Sequence, residues 1–84
     1  MTRDEVFAVV ARNILHVVPD ITEDDVRGGR SMAELGASSL DRLDVVLTAQ
    51  ADLGITVRTE DLADVRDIGA LVEILYQQSI REAG

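Results

Sequence analysis

A chain of 84 residues is enough for one small domain that buries about 60% of its unfolded surface, which argues against a deep catalytic cleft. Sixteen acidic residues against eight basic ones give a formal net charge of −8, which repels nucleic acid and anionic membranes. All eight basic residues are Arg, so lysine Schiff-base chemistry is excluded, and with no Cys there is no disulfide, thiolate metal site or protein thiol nucleophile.

Apolar residues make up 46% of the chain but aromatics only 2%, so the core is expected from Val, Leu, Ile and Ala, with Phe7 and Tyr76 as its rings. That palette favours helices packed on helices. Met1-Thr2-Arg3-Asp4-Glu5 is charged, unlike the start of a signal peptide, and no apolar run reaches about 18 residues. The expectation is a soluble, cytoplasmic, monomeric protein.

Thr2 followed by Glu5 reads as a capping box, opening a helix from Arg3 to Val18 with Phe7, Val10, Ile14 and Val17 on one stripe. Pro19 ends it. From Pro19 to Gly36 the composition suggests a long loop with short helical turns, pinned by Ile21, Val26, Met32 and Leu35. Ser38, with Asp41 three residues later, predicts a second helix carrying Leu40, Leu43 and Leu47 at helical spacing and stopping near Gly54. Ile55 and Val57 form an extended link, and Thr59 is read as the cap of a brief third helix through Ala63. Asp67 caps a last helix with Ile68, Leu71, Val72, Leu75 and Tyr76 on its buried face, and the tail from Gln77 to Gly84 is expected to fray. Residues 1–84 read as a single all-α domain, a four-helix bundle of three longer helices and one short third helix after a long first loop.

The stretch with chemical content is Glu34-Leu35-Gly36-Ala37-Ser38-Ser39-Leu40-Asp41, where two serines meet a helix start. The unpaired N–H groups and the positive dipole end there favour an attached anion. Ser38, at the capping position, is occupied by backbone, whereas Ser39 in the first turn is free to point outward. Gly36-Ala37-Ser38-Ser39-Leu40-Asp41 resembles the G-x-D-S-L-D motif of acyl carrier proteins, and the similarity extends over essentially the whole chain.

The resemblance implies that a phosphopantetheinyl transferase, with Mg²⁺ and coenzyme A, esterifies Ser39 with 4′-phosphopantetheine. It also implies that Leu40 is a buried anchor and Asp41 an acidic neighbour. The protein would then be a non-catalytic carrier whose arm supplies the missing thiol. Ser38, Leu40, Asp41, Arg42 and Asp44 are the expected partner-docking residues. Met32, Val57, Leu62 and Val65 are the expected contacts of the arm or its acyl chain, beyond ordinary core packing. No metal site is expected.

Two departures narrow the resemblance: Ser38 stands where the family commonly has Asp, and Gln50 and Ala51 stand where many fatty-acid carriers have consecutive glutamates. With Arg42 added, the segment from Ser31 to Gly54 is similar to freestanding carriers of polyketide β-branching cassettes. Those present an acetyl group, made by decarboxylating a malonyl group, to an enzyme related to HMG-CoA synthase. Acyltransferase or ketosynthase-like enzymes would load the carrier. Ordinary readings stand beside these. Asp41 and Asp44 complement the helix dipole, Arg42 is a solvated helix residue, and Glu23-Asp24-Asp25 lacks the ligand pattern of a calcium loop. A peptidyl carrier or an unmodified docking bundle also fits. A Ser39 hydrolase fits least, because His16 is the sole histidine and lies far away in sequence.

Overall fold

The computed structural model describes residues 1–83 and is all-helical, with no strand among the described residues. Its elements are α1 (Arg3–Val17), a 3-10 turn (Glu23–Asp25), α2 (Ser39–Leu53), a 3-10 turn (Thr59–Leu62) and α3 (Ile68–Ala83). This is the expected bundle, with its short third member reduced to one 3-10 turn. Thr59 is the first residue of that turn and not its cap. Arg58 takes the capping position and makes no side-chain capping bond.

The predicted box opens α1. Thr2 Oγ1 accepts the Glu5 N–H at 3.1 Å, and the Glu5 carboxylate accepts the Thr2 N–H at 2.9 Å, which holds the Glu5 carboxyl below its ordinary pKa. Val6, Val10 and Ile14 form the fully buried row, so Val6 takes the place expected for Phe7. Phe7 and Val17 are half-buried beside it. The helix ends one residue early because Val18, preceding Pro19, is extended (φ −120°, ψ 95°).

α2 departs more from the sequence reading. Val45 and Ala49 are its buried residues, whereas Leu40, Leu43 and Leu47 are 78%, 54% and 57% exposed. Leu40 is therefore not a buried anchor. At about 100° per residue, Leu43 and Leu47 lie roughly 160° around the helix from Val45. The face turned inward is the one whose smaller side chains let α1 come close. Gly54 then ends α2 in the left-handed region (φ 68°), and its N–H reaches back to Ala51.

α1 packs on both α2 and α3, while α2 and α3 meet only sparsely, so the connecting segments fill the gap between them. Val26, Met32 and Leu35 of the first loop are buried, as their spacing suggests, and Ile21 is half-buried. The loop is stitched to the start of α3 by backbone bonds from Gly69 N–H to Gly28 O (2.8 Å) and from Ile68 N–H to Arg30 O (2.9 Å). Two donors that a helix start leaves unpaired are thereby satisfied. A Cβ on Gly69 would sit 3.0 Å from the Gly28 carbonyl oxygen, so glycine is needed for this close approach. Asp67 supplies the predicted cap by accepting the Ala70 N–H at 2.7 Å.

α3 buries Ile68, Leu71, Val72 and Leu75 as expected, but it does not fray at Gln77 and continues to Ala83. Side-chain bonds from Gln77 to Glu73 and from Gln78 to Glu82 support the last turns. Glu82 also accepts the Thr56 N–H at 2.9 Å, which ties the helix end to the link after α2. At the other end Arg3 forks onto Glu73 (2.8 and 3.1 Å) and lies 4.4 Å from the Tyr76 ring centroid. The bonds from Arg3 and Gln77 hold the Glu73 carboxyl down at about 2.

Candidate functional site

Two reciprocal side-chain boxes lead into the site. In the first, Ser31 Oγ accepts the Glu34 N–H and the Glu34 carboxylate accepts the Ser31 N–H, both at 3.1 Å. Gly36 then turns the chain at φ 98°, and Ala37 buries. In the second, Ser38 Oγ accepts the Asp41 N–H at 3.1 Å and the Asp41 carboxylate accepts the Ser38 N–H at 3.0 Å. Ser38 is thus consumed by capping, as the sequence indicates, and Ser39 begins α2 with an exposed side chain.

Removing the cap tests this division of labour. Ser38→Ala is expected to lose about 1 kcal/mol of stability, read as a lower denaturant midpoint at unchanged slope. A midpoint equal to that of the wild type would mean that the box contributes nothing.

Ser39 Oγ accepts a hydrogen bond from Arg42 Nη2 at 3.0 Å, one helical turn along. A guanidinium is always protonated and cannot act as a general base, so this pair is not a nucleophile and its activator. His16, at the far end of α1, is exposed.

Ser39 and Arg42 stand at the rim of an open groove of about 440 Å³ whose wall is mostly apolar. Leu43 and Val46 line it from α2, Leu62 and Val65 from the segment around the second 3-10 turn, Met32 from the first loop and Leu71 from α3. Of the four residues anticipated as arm contacts, Met32, Leu62 and Val65 are gathered here. Val57 is not; it is buried and lines a separate hollow beside Glu73 and Ile74. Leu43, Val46, Thr59, Ala63 and Leu71 belong to the groove without having been anticipated as arm contacts. For Leu43 and Val46 the signal was their place four and seven residues after Ser39, on its own helix face. Of the anticipated docking residues, Ser38, Leu40, Arg42 and Asp44 are exposed and Asp41 is half-buried.

An exposed serine hydroxyl on the first turn of a helix, beside a cation and above an open apolar groove, suits a covalently held anionic group with a long flexible arm. The family model described as "Phosphopantetheine attachment site" matches residues 10–75, and the chain belongs to that family as an acyl carrier protein. It is 31% identical to the polyketide biosynthesis acyl-carrier-protein AcpK of Bacillus subtilis (strain 168), across 93% of this chain and 95% of that protein. It is 28% identical to an acyl carrier protein of Petrotoga mobilis, across 93% of this chain and 92% of that protein. Its fold matches a chain in the crystal structure of the curacin biosynthetic pathway HMG synthase in complex with acetyl donor-ACP. There the TM-score is 0.79 at 21% identity, covering 90% of this chain and 96% of the other.

The cofactor of this family is 4′-phosphopantetheine, held covalently. When bound it supplies a thiol, the one group that a chain without cysteine lacks for holding acyl groups as thioesters.

Proposed function

We propose that residues 1–84 form one non-catalytic carrier domain that holds its phosphopantetheine at Ser39 and carries acyl groups in polyketide biosynthesis. The observation that carries this reading is the exposed Ser39 hydroxyl at the rim of the groove, set against a Ser38 hydroxyl already engaged by the Asp41 N–H. Attachment forms a bond from Ser39 Oγ to phosphorus and breaks the pyrophosphate of coenzyme A. It releases 3′,5′-ADP, and the hydroxyl proton passes to a phosphopantetheinyl transferase.

The charge of −8 and the exposed Leu40, Leu43 and Leu47 stripe, interleaved with Asp41 and Asp44, make α2 the surface on which loading enzymes would dock. Ser38 and Arg42 border the same surface. Acyltransferase or ketosynthase-like enzymes are the loading partners in this reading. The cargo is an acetyl group, delivered to an HMG-CoA synthase-like enzyme in the cytoplasm by a monomeric carrier. The names of AcpK and of the acetyl donor-ACP complex support that pathway. No helix among the described residues is long and apolar enough to cross a membrane.

The test is loading and delivery. The pantetheinylated chain is charged with acetyl and mixed with an HMG-CoA synthase-like enzyme, and intact mass follows both proteins. Movement of acetyl from carrier to enzyme is expected. Retention of acetyl, together with efficient charging by an amino-acid-adenylating enzyme, would make the chain a peptidyl carrier instead.

A further inference from the structure

Arg42 cannot serve as the base that activates Ser39, yet it is the basic residue bonded to that hydroxyl and the single one in α2. The other side chains around it are mixed in charge. Asp41 and Asp44 flank it on the helix, and Arg66 and Asp67 share with it a small hollow next to the groove. All three of these acids accept other hydrogen bonds, Asp41 from the Ser38 N–H, Asp44 from the Thr48 hydroxyl and Asp67 from the Ala70 N–H. Arg42 itself forms no ion pair among the described residues, in contrast to Arg3, Arg12 and Arg58. Its one side-chain bond goes to Ser39 Oγ at 3.0 Å. Met32 and Val65 line both the groove and the hollow together with Arg42, so the exposed arginine has apolar neighbours beside it.

We infer that Arg42 is the built-in counter-ion of the arm's phosphodiester. It fastens the root of the arm against α2 and turns the rest toward the groove. This rests on Ser39 being the attachment point. Once Ser39 Oγ becomes an ester oxygen, the charged phosphate oxygens lie two bonds beyond the atom that Arg42 already touches. A guanidinium has five N–H donors in a planar fork, suited to a phosphate that carries negative charge, whereas a neutral hydroxyl uses one of them. The anion and the cation are both partly solvated, so the pair orders the arm without locking it down. Arg42 is thus a positioning residue for the prosthetic group, distinct from the Leu40, Leu43 and Leu47 stripe that would meet partners.

The experiment compares apo and pantetheinylated forms of wild type, Arg42→Gln and Arg42→Lys, each confirmed by intact mass. The readouts are the ³¹P resonance of the phosphodiester in low and high NaCl and the difference in Tm between the two forms. The expected result is a wild-type ³¹P shift that moves with salt, and a displaced shift in Arg42→Gln that does not. The wild type should also gain about 1–5 °C more from modification than Arg42→Gln does, with Arg42→Lys in between. The same ³¹P shift and the same Tm increment in wild type and Arg42→Gln would overturn the inference, with the attachment reading untouched. Failure of the wild type to gain the arm at all would overturn both.

Discussion

Leu71→Ala is expected to destabilise the protein by about 2–5 kcal/mol, a large share of the roughly 5–15 kcal/mol that holds a typical domain together. Leu71 is fully buried and is among the largest side chains of the core. Its truncation removes apolar contacts and leaves a cavity that α1 and α3 cannot close without losing other contacts. For a domain of this size each kcal/mol moves Tm by about 4–8 °C, so the melting point should fall by roughly 10 °C or more. Leu40→Ala is the control of equal chemistry. Leu40 is 78% exposed, and its loss should change stability by no more than about 0.5 kcal/mol. Thermal melts of the two variants decide whether the core lies where the structure puts it. Equal losses would restore Leu40 as a buried anchor and contradict the orientation of α2.

Leu71 also lies at the base of the groove beside Ser39, so the same buried side chain that anchors α3 supports the groove from beneath. The sparse contact between α2 and α3 leaves the groove open. What bridges the two helices is a 3-10 turn and two loops, whose Met32, Leu62 and Val65 line the gap.

Local signals carried most of the architecture. The boxes at Thr2 and Ser38, the stops at Pro19 and Gly54 and the cap at Asp67 are legible because each depends on residues within a few positions of one another. The same locality made Ser39 stand out from Ser38, since a capping serine is recognisable by the Asp three residues on. Rotational choices were less visible. Leu40, Leu43 and Leu47 have the spacing of a buried stripe, and only packing against α1 reveals that Val45 and Ala49 turn inward instead. The absence of fraying at Gln77 depends on Glu82 reaching Thr56, a contact across 26 positions that no local window contains. The contact of Gly69 with Gly28 is likewise long-range. Arg42 could be placed one turn from Ser39 by counting, but the direction of its guanidinium required the structure.

If the arm is held at Ser39, removing that one hydroxyl oxygen should abolish modification. Apo wild type and Ser39→Ala should therefore be incubated with coenzyme A, Mg²⁺ and a broad-specificity phosphopantetheinyl transferase, and intact masses recorded before and after. The expected result is a single phosphopantetheine-sized gain on the wild type and none on a Ser39→Ala protein that melts like the wild type. A gain that survives in Ser39→Ala would move the attachment point to another residue, and no gain on folded wild-type protein would contradict the placement of the arm at Ser39.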